Sequence, residues 1–429
     1  MLGGAAGRAG AGRAGDVEGP PPGVRVVVDV RPLQEPEHAP VTAAYLGRLL
    51  GAFAAEPLEG ESFVLLLRAD LPDPMPSLAG LPIAGRRFLP ATRFLRTATP
   101  AVDPFVLRGA SVGTGRGARR AGANGAVHHA AGTVLPFAPG LPVVASLLDL
   151  APWQLAGTFQ RSPAARFAAR LRLRLLRGSR IVACGSGAVA DLAARRLRVP
   201  ADRLRVVPLA ARDAFRASPG TDPGATRAEL ERLGLSGRYL VWSARHDARQ
   251  DLPTLLAALR ALASAGRPAD LPAEDTWPPR VLVVEAAPAD RTALARAAAR
   301  AGVADAFAYA PGLPPERLAI LVAAARAGLA PVVSEAAGLA TIEAIAAGVP
   351  VVASAVGALP ELVGRAGILV PPRSPERLAS ALRAIVTDDA LRASLAGEAA
   401  ARGLGRRSWG DVALEIRRLY AEAAGAGTP

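Results

Sequence analysis

Apolar positions along the chain fall into two recurring patterns. Short continuous runs of valine, leucine and isoleucine have the length of strands buried on both faces, and longer stretches repeat apolar residues at three- and four-residue spacing, as helices do. VRVVVDV (residues 24–30) and SFVLLLR (62–68) are runs of the first kind, and TAAYLGRLLGAFAA between them is of the second. From 69 to 125, Pro, Gly and Arg interrupt both patterns and no element is predicted. Order returns with AVHHAAGTVLPF and PVVASLLDLAP, each with a strand. The arginine-rich helix SPAARFAARLRLRLLRG, the strand SRIVACGSG, a helix over 188–198 and the strand RLRVVPL follow.

Turn-forming residues, ASPGTDPGA, occupy 217–225, and the grammar then restarts. RYLVWSA, RVLVVEA, AFAYA, LAPVV and VPVVAS are predicted strands, and LPTLLAALRALASAG, DRTALARAAARAG, PPERLAILVAAARAG and LATIEAIAAG are helices between them. LPAEDTWPP reads as an inserted surface loop, and helices run from 374 to the end. Alternation of this kind predicts an α/β fold of two doubly wound, Rossmann-like parallel-sheet domains facing across a cleft. The expected division is a disordered tail over 1–22, a first domain over 23–216 and a linker over 217–236. A second domain spans 237–405, and a C-terminal helix over 406–429 can pack back on the first domain.

Composition narrows the functional classes. Net charge is +14, yet all 51 basic residues are arginine, so the charge reads as whole-chain compositional drift more than as a nucleic-acid footprint. No aromatic–basic module accompanies it, and nucleic acid is not an expected partner. One cysteine, Cys184, excludes an internal disulfide framework and is simplest as a core residue. His38, His128, His129 and His246 have no zinc-ligand spacing, so no metal site is expected. No apolar run reaches the length of a membrane span and the start lacks a secretory signal, which predicts a soluble, cytoplasmic protein. Arg166, Arg170, Arg174 and Arg177 recur at helical spacing beside Phe167, Leu171 and Leu175. A solvated face is the simpler reading; contact with an anionic inner-membrane face is the alternative.

The densest chemistry lies at 334–372, SEAAGLATIEAIAAGVPVVASAVGALPELVGRAGILVPP. Glu335 and Glu343 are eight residues apart with Gly338 between them. A helix starting near Leu339 leaves Glu335 in the preceding loop and Glu343 one turn inside, so both carboxylates can face the cleft. The amides of Gly338 to Thr341 then form a helix N-terminus suited to a diphosphate, and Gly338 admits close backbone approach. Carboxylates for hydroxyls and amides for phosphates together suit a nucleotide-sugar.

The pattern Glu-x-x-Gly-Leu-x-x-x-Glu-Ala, followed by Ala-Gly-Val-Pro-Val-Val-Ala-Ser and Gly-x-x-Pro-Glu-Leu-Val, resembles the donor site of the family 4 glycosyltransferases (glycosyl transferases group 1). VVVDVRPL, LLDLAP, RLRVVPLA and SARHDARQDLPTLLAAL are weaker echoes in the family's order. The resemblance implies the GT-B fold and retaining transfer of a hexose, of mannose or glucose type, from a UDP- or GDP-sugar. The acceptor it implies is a glycan or a lipid-linked molecule, in cell-surface polysaccharide or glycolipid synthesis, with no cofactor or metal. It assigns Glu335 to the donor sugar's hydroxyls and Glu343 to the ribose. The diphosphate goes to the amides of Gly338, Leu339 and Ala340 and to Arg245, which stabilises charge on the departing nucleotide. Arg249 and Gln250 complete the donor-side set, and His128, His129 and Asp149 are acceptor-side candidates. Departures are Gln250 for the family's lysine, Leu148 for a histidine before Asp149, Pro40 and Val41 in the first glycine-rich loop, and Ala336, Ala337 and Ala340 around Glu335. These departures favour the alternative of a catalytically silent GT-B domain acting as a binding partner or scaffold.

Overall fold

The computed structural model describes residues 21–89, 104–105, 107, 125–132, 134–137, 140–216, 223–235 and 237–425. The first parallel sheet contains β1 (Arg25–Asp29), β2 (Ser62–Arg68), β3 (Ile83–Leu89), β4 (Ala126–Ala131), β5 (Val143–Leu147), β6 (Ile181–Cys184) and β7 (Leu204–Val206), in the order β3-β2-β1-β4-β5-β6-β7. The second contains β8 (Tyr239–Ser243), β9 (Arg280–Val284), β10 (Phe307–Tyr309), β11 (Ala327–Ala330), β12 (Val351–Ser354) and β13 (Gly367–Val370), in the order β10-β9-β8-β11-β12-β13. In each sheet the winding reverses beside the first strand, between β1 and β4 and between β8 and β11. Loops at the carboxyl ends of strands flanking such a reversal form the ligand crevice of a doubly wound fold.

Five helices matter for the site: α1 (Pro40–Ala55), α2 (Pro163–Gly178), α3 (Leu252–Ala265), α4 (Leu339–Ala346) and α5 (Trp409–Ala424). α1 buries Tyr45, Leu46, Leu49, Leu50 and Phe53, a stripe at helical spacing that covers the first sheet. α5 crosses from the second domain to pack on α1 and buries Val412, Ala413, Ile416 and Tyr420. Ser408 opens it with a capping box, its side chain and that of Asp411 each accepting from the other's backbone N–H. On its buried face Arg417 grips Glu61 with two bonds, Nε–Oε1 at 2.9 Å and Nη2–Oε2 at 2.8 Å. The chain thus passes between the domains twice, and the passages are tied together. Arg216 donates to the carbonyl of Gly405 at 3.0 Å, and Arg407 to that of Pro208 at 2.7 Å.

Several elements differ from the sequence expectation. β3, IAGRRFL, was not predicted; on this edge strand half-buried Ile83, Gly85 and Arg87 alternate with exposed Ala84, Arg86 and Phe88, and the glycine and arginines break any apolar run. β11 is AGLA, two residues earlier than LAPVV, because Ala and Gly give no periodic contrast there. Gly328 in that strand sits where an added Cβ would meet Ala344 at 3.1 Å. Within the expected linker, Pro223–Arg232 is a helix whose Glu229 pairs with Arg317. The LPAEDTWPP segment is anchored: buried Asp275 accepts from the Arg238 backbone N–H at 2.6 Å, and Trp277 Nε1 donates to Leu262 at 2.9 Å. On α2, Arg166, Arg170 and Arg174 are exposed beside Phe167, but Arg177 turns inward to the carbonyl of Leu197 at 2.7 Å. Cys184 is buried. Residues 1–20 of the expected tail lie outside the described residues.

Candidate active site

The loop after β8 supplies the basic side chains. Arg245 is half-buried and reaches Asp247 at 3.8 Å, a loose contact. Burial, reinforced by the charge on Arg249, pulls its guanidinium pKa below the ordinary value, with Asp247 opposing. A bound anion in the cleft would relieve that cost. Arg249 reaches across to the first domain and holds both oxygens of Asp149, Nη2–Oδ2 at 2.5 Å and Nε–Oδ1 at 3.2 Å, with Phe159 packed 4.9 Å from its guanidinium. Gln250 turns its Oε1 to the indole N–H of Trp242 at 3.2 Å, and its backbone bridges Val332.

The opposite wall is the loop between β11 and α4. Oε1 of Glu335 accepts from the amides of Ala336, Ala337 and Gly338 at 3.0, 3.0 and 2.9 Å. The carboxylate therefore occupies the anion nest of its own loop. Burial nonetheless pushes its carboxyl pKa up, with the charge of Asp149 adding, while the three amides oppose. The amides left outside the α4 ladder are those of Leu339, Ala340 and Thr341, since the first backbone bond of the helix runs from Ile342 to Gly338. Gly338 has φ of +63°, and a Cβ there would stand 2.3 Å from Leu362. Helix start and packing thus require this glycine, whatever approaches from the cleft.

Glu343 is 3% exposed and does not present free oxygens. Arg212 binds it through Nε–Oε1 and Nη2–Oε2, both at 2.7 Å, and Arg48 of α1 adds a contact to Oε1 at 2.9 Å. Arg212 also reaches Glu285 at 2.9 Å, and Glu285 accepts from Ser243 at the same distance. Arg48, Arg212 and Glu285 were not singled out in the sequence. Glu285 directly follows β9, a carboxyl-end position that could have flagged it, and its φ of +56° is unusual for a side chain of its kind. Arg212 lies 131 residues from Glu343, and no local signal joins them.

His128 and His129 do not face the cleft as expected. Both lie within β4, not at its carboxyl end, and are buried on opposite faces of the sheet, as successive strand residues must be. His129 sits between the hydroxyls of Ser146 at 3.0 Å and Tyr420 at 2.5 Å. Burial lowers its pKa to about 3, and that of His128 to about 4 against the opposing charge of Asp29. Both histidines are neutral in the native state, whereas the unfolded chain takes up protons near pH 6.5. Their contribution to stability is complete above that pH and is lost as pH falls toward the native values. Between pH 7.5 and pH 5 the two together are expected to cost about 4 kcal/mol of folding free energy. Urea unfolding at the two pH values checks this. A His129→Gln variant with an equally steep fall would refute the assignment.

Arg245, Arg249, Gln250, Asp149 and Glu335 line one interdomain pocket of about 180 Å³, together with residues 38–42 and Gly132. Ala340 and Glu343 line a smaller recess with Ser243 and Glu285. Among the described residues no group of three or more His, Cys, Asp or Glu could hold a metal ion. No helix among them is long and apolar enough to cross a membrane.

Residues 237–388, the second domain, match the family model of glycosyl transferases group 1. Over those residues the chain is similar to the glycosyl transferases group 1. Solved structures similar to the whole chain include a sucrose-phosphate synthase from Thermosynechococcus elongatus, 20% identical with a TM-score of 0.70, covering 94% of this chain and 100% of that one. Anabaena HepE in complex with UDP and glucose is 15% identical, with a TM-score of 0.65 and coverage of 93% and 100%. WaaG, a glycosyltransferase involved in lipopolysaccharide biosynthesis, is 17% identical, with a TM-score of 0.63 and coverage of 92% and 99%. A search of curated proteins gave no match. The glycosyltransferase fold is the two-domain GT-B arrangement, with seven strands in one sheet and six in the other.

Proposed function

We propose that the chain is a retaining glycosyltransferase. It moves a hexose of mannose or glucose type from a UDP- or GDP-sugar to a glycan or lipid-linked acceptor, in the synthesis of a cell-surface polysaccharide or glycolipid. The observation that carries this reading is the shared pocket of Arg245 and Glu335 at the mouth of α4. When the bond between the anomeric carbon and the phosphate oxygen breaks, negative charge grows on the departing diphosphate. The Arg245 guanidinium, and the amides of Leu339, Ala340 and Thr341 where the donor reaches the neighbouring recess, would donate to that charge. The acceptor hydroxyl attacks on the same face, forms the new glycosidic bond and passes its proton to the leaving phosphate. No protein nucleophile and no cofactor is required. Glu335 orients the donor sugar through its hydroxyls, and Glu343 the ribose once an arginine gives way. The reaction is set in the cytoplasm, where the exposed Arg166, Arg170 and Arg174 of α2 would meet an anionic membrane face.

The second reading, a silent GT-B binding module, draws on the occupation of Glu343 by Arg48 and Arg212 and on Gln250 facing Trp242. A panel of UDP-, GDP- and ADP-sugars assayed with wild type and Glu335→Gln separates the two. The transferase reading expects turnover with one donor and a loss of about a hundredfold in the variant. It also expects thermal stability at pH 8 that is unchanged or higher. The native carboxyl is held up by burial, so its cost falls on the folded state as pH rises through its native pKa, and the amide has no such cost. Nucleotide binding without turnover, indifferent to Glu335→Gln, would establish the silent module.

A further inference from the structure

The interdomain crevice does not end at Glu335. Ser334 Oγ and Gln154 Oε1 meet at 2.6 Å, and beyond that pair lies a second pocket of about 560 Å³, larger than the first. No residue lines both pockets, but sequence neighbours are divided between them. Leu148 and Asp149 border the first and Leu150 the second; Ser334 and Glu335 border the first and Val333 the second. The Ser334–Gln154 hydrogen bond joins a residue lining the first pocket to one lining the second.

Their chemistry differs. The first pocket mixes charges with acids in excess, two arginines (Arg245 and Arg249) against three carboxylates (Asp149, Asp247 and Glu335). The second has two arginines, Arg196 and Arg373, and no carboxylate in its lining. Among the described residues neither guanidinium pairs with an acid, whereas Arg48, Arg212 and Arg249 in the same crevice all do. Both arginines are exposed, and the backbone of Arg373 is fixed: its N–H donates to buried Asp251 at 2.6 Å, and its φ is +57°, a conformation costly for arginine. Between the two cations the wall is apolar, formed by Trp153, Leu155, Leu192 and Leu197. Two unpaired guanidiniums beside a greasy wall match an anion joined to an apolar group.

We infer that this second pocket binds the acceptor, and that the acceptor is a phosphorylated amphiphile. Its phosphate lies between Arg196 and Arg373, its apolar part lies against Trp153 and the leucines, and its reactive hydroxyl extends past Gln154 toward Glu335. The word acceptor rests on the transferase reading; the binding site does not.

The test titrates n-octyl phosphate into the full chain, followed by calorimetry and tryptophan fluorescence. Inorganic phosphate, glucose 6-phosphate and n-octyl glucoside serve as the partial ligands. The octyl phosphate is expected to bind at least about tenfold more tightly than any of the three. Arg196→Gln and Arg373→Asn, the latter suited to the left-handed backbone, are each expected to weaken it about tenfold while UDP and GDP binding stay unchanged. Equal binding of octyl glucoside would remove the anion from recognition, and equal binding of glucose 6-phosphate would remove the apolar wall. Either result, or indifference to both variants, overturns the proposal. Donor turnover without octyl phosphate binding would sink this inference alone. Octyl phosphate binding without donor turnover would leave the site standing and remove the transferase reading.

Discussion

Arg417→Ala is expected to lower folding stability by about 3–5 kcal/mol, the cost of leaving a buried carboxylate without its cation. Glu61 and Arg417 are 7% and 5% exposed, and the guanidinium also donates to the carbonyl of Glu56 at 2.6 Å while covering the ring of Phe53. Few solvent molecules can replace what the variant removes. In a thermal melt the loss corresponds to a fall of about 10 °C for a domain of this size. A Glu61→Gln, Arg417→Met double variant, which removes both charges and keeps the volume, should recover most of it. A single-variant loss under about 1 kcal/mol would mean that water reaches Glu61 and that α5 is not docked as described.

Arg245→Ala is expected to lower transfer by about 10²–10³ in kcat, the usual effect of removing one donor aimed at charge that develops in the transition state. Donor binding should weaken less than turnover, because the diphosphate gains charge only as the glycosidic bond breaks. Steady-state kinetics with the preferred nucleotide-sugar gives both numbers. Arg249→Ala is the useful contrast. That side chain is already committed to Asp149, so its removal should act by loosening the domains and raise KM more than it lowers kcat. If Arg249→Ala lowered kcat as far as Arg245→Ala with KM unchanged, the two arginines would have to exchange roles.

The sequence was legible where physics is local. β1 and β2 are continuous β-branched or aliphatic runs, and the start of α4 follows from Gly338 and the apolar spacing after it. Glu335 could be singled out from its spacing to Gly338 and Glu343, whereas Arg245 was assigned by the resemblance; each lies in a loop beyond a strand. What was not legible is held by distant partners. Glu343 meets its arginines from 131 residues away and from α1, so a carboxylate read as open to a ribose is already engaged. His129 belongs to the core because Tyr420, 291 residues further on, returns to cover it. Period-two alternation places His128 and His129 on opposite faces of a strand. It does not say that both faces are covered, and the reading of the pair as acceptor-side residues rested on the resemblance alone.

The double passage between the domains sets how they can move. Because the segments around Pro208–Arg216 and Gly405–Arg407 are hydrogen-bonded side by side, they behave as a two-ply strap instead of a single tether. Pulling the halves apart would require stripping α5 from its seat on α1 and breaking the Arg249–Asp149 and Arg48–Glu343 ion pairs. The two halves of the crevice are thus held at a fixed separation by contacts from both ends of the second domain.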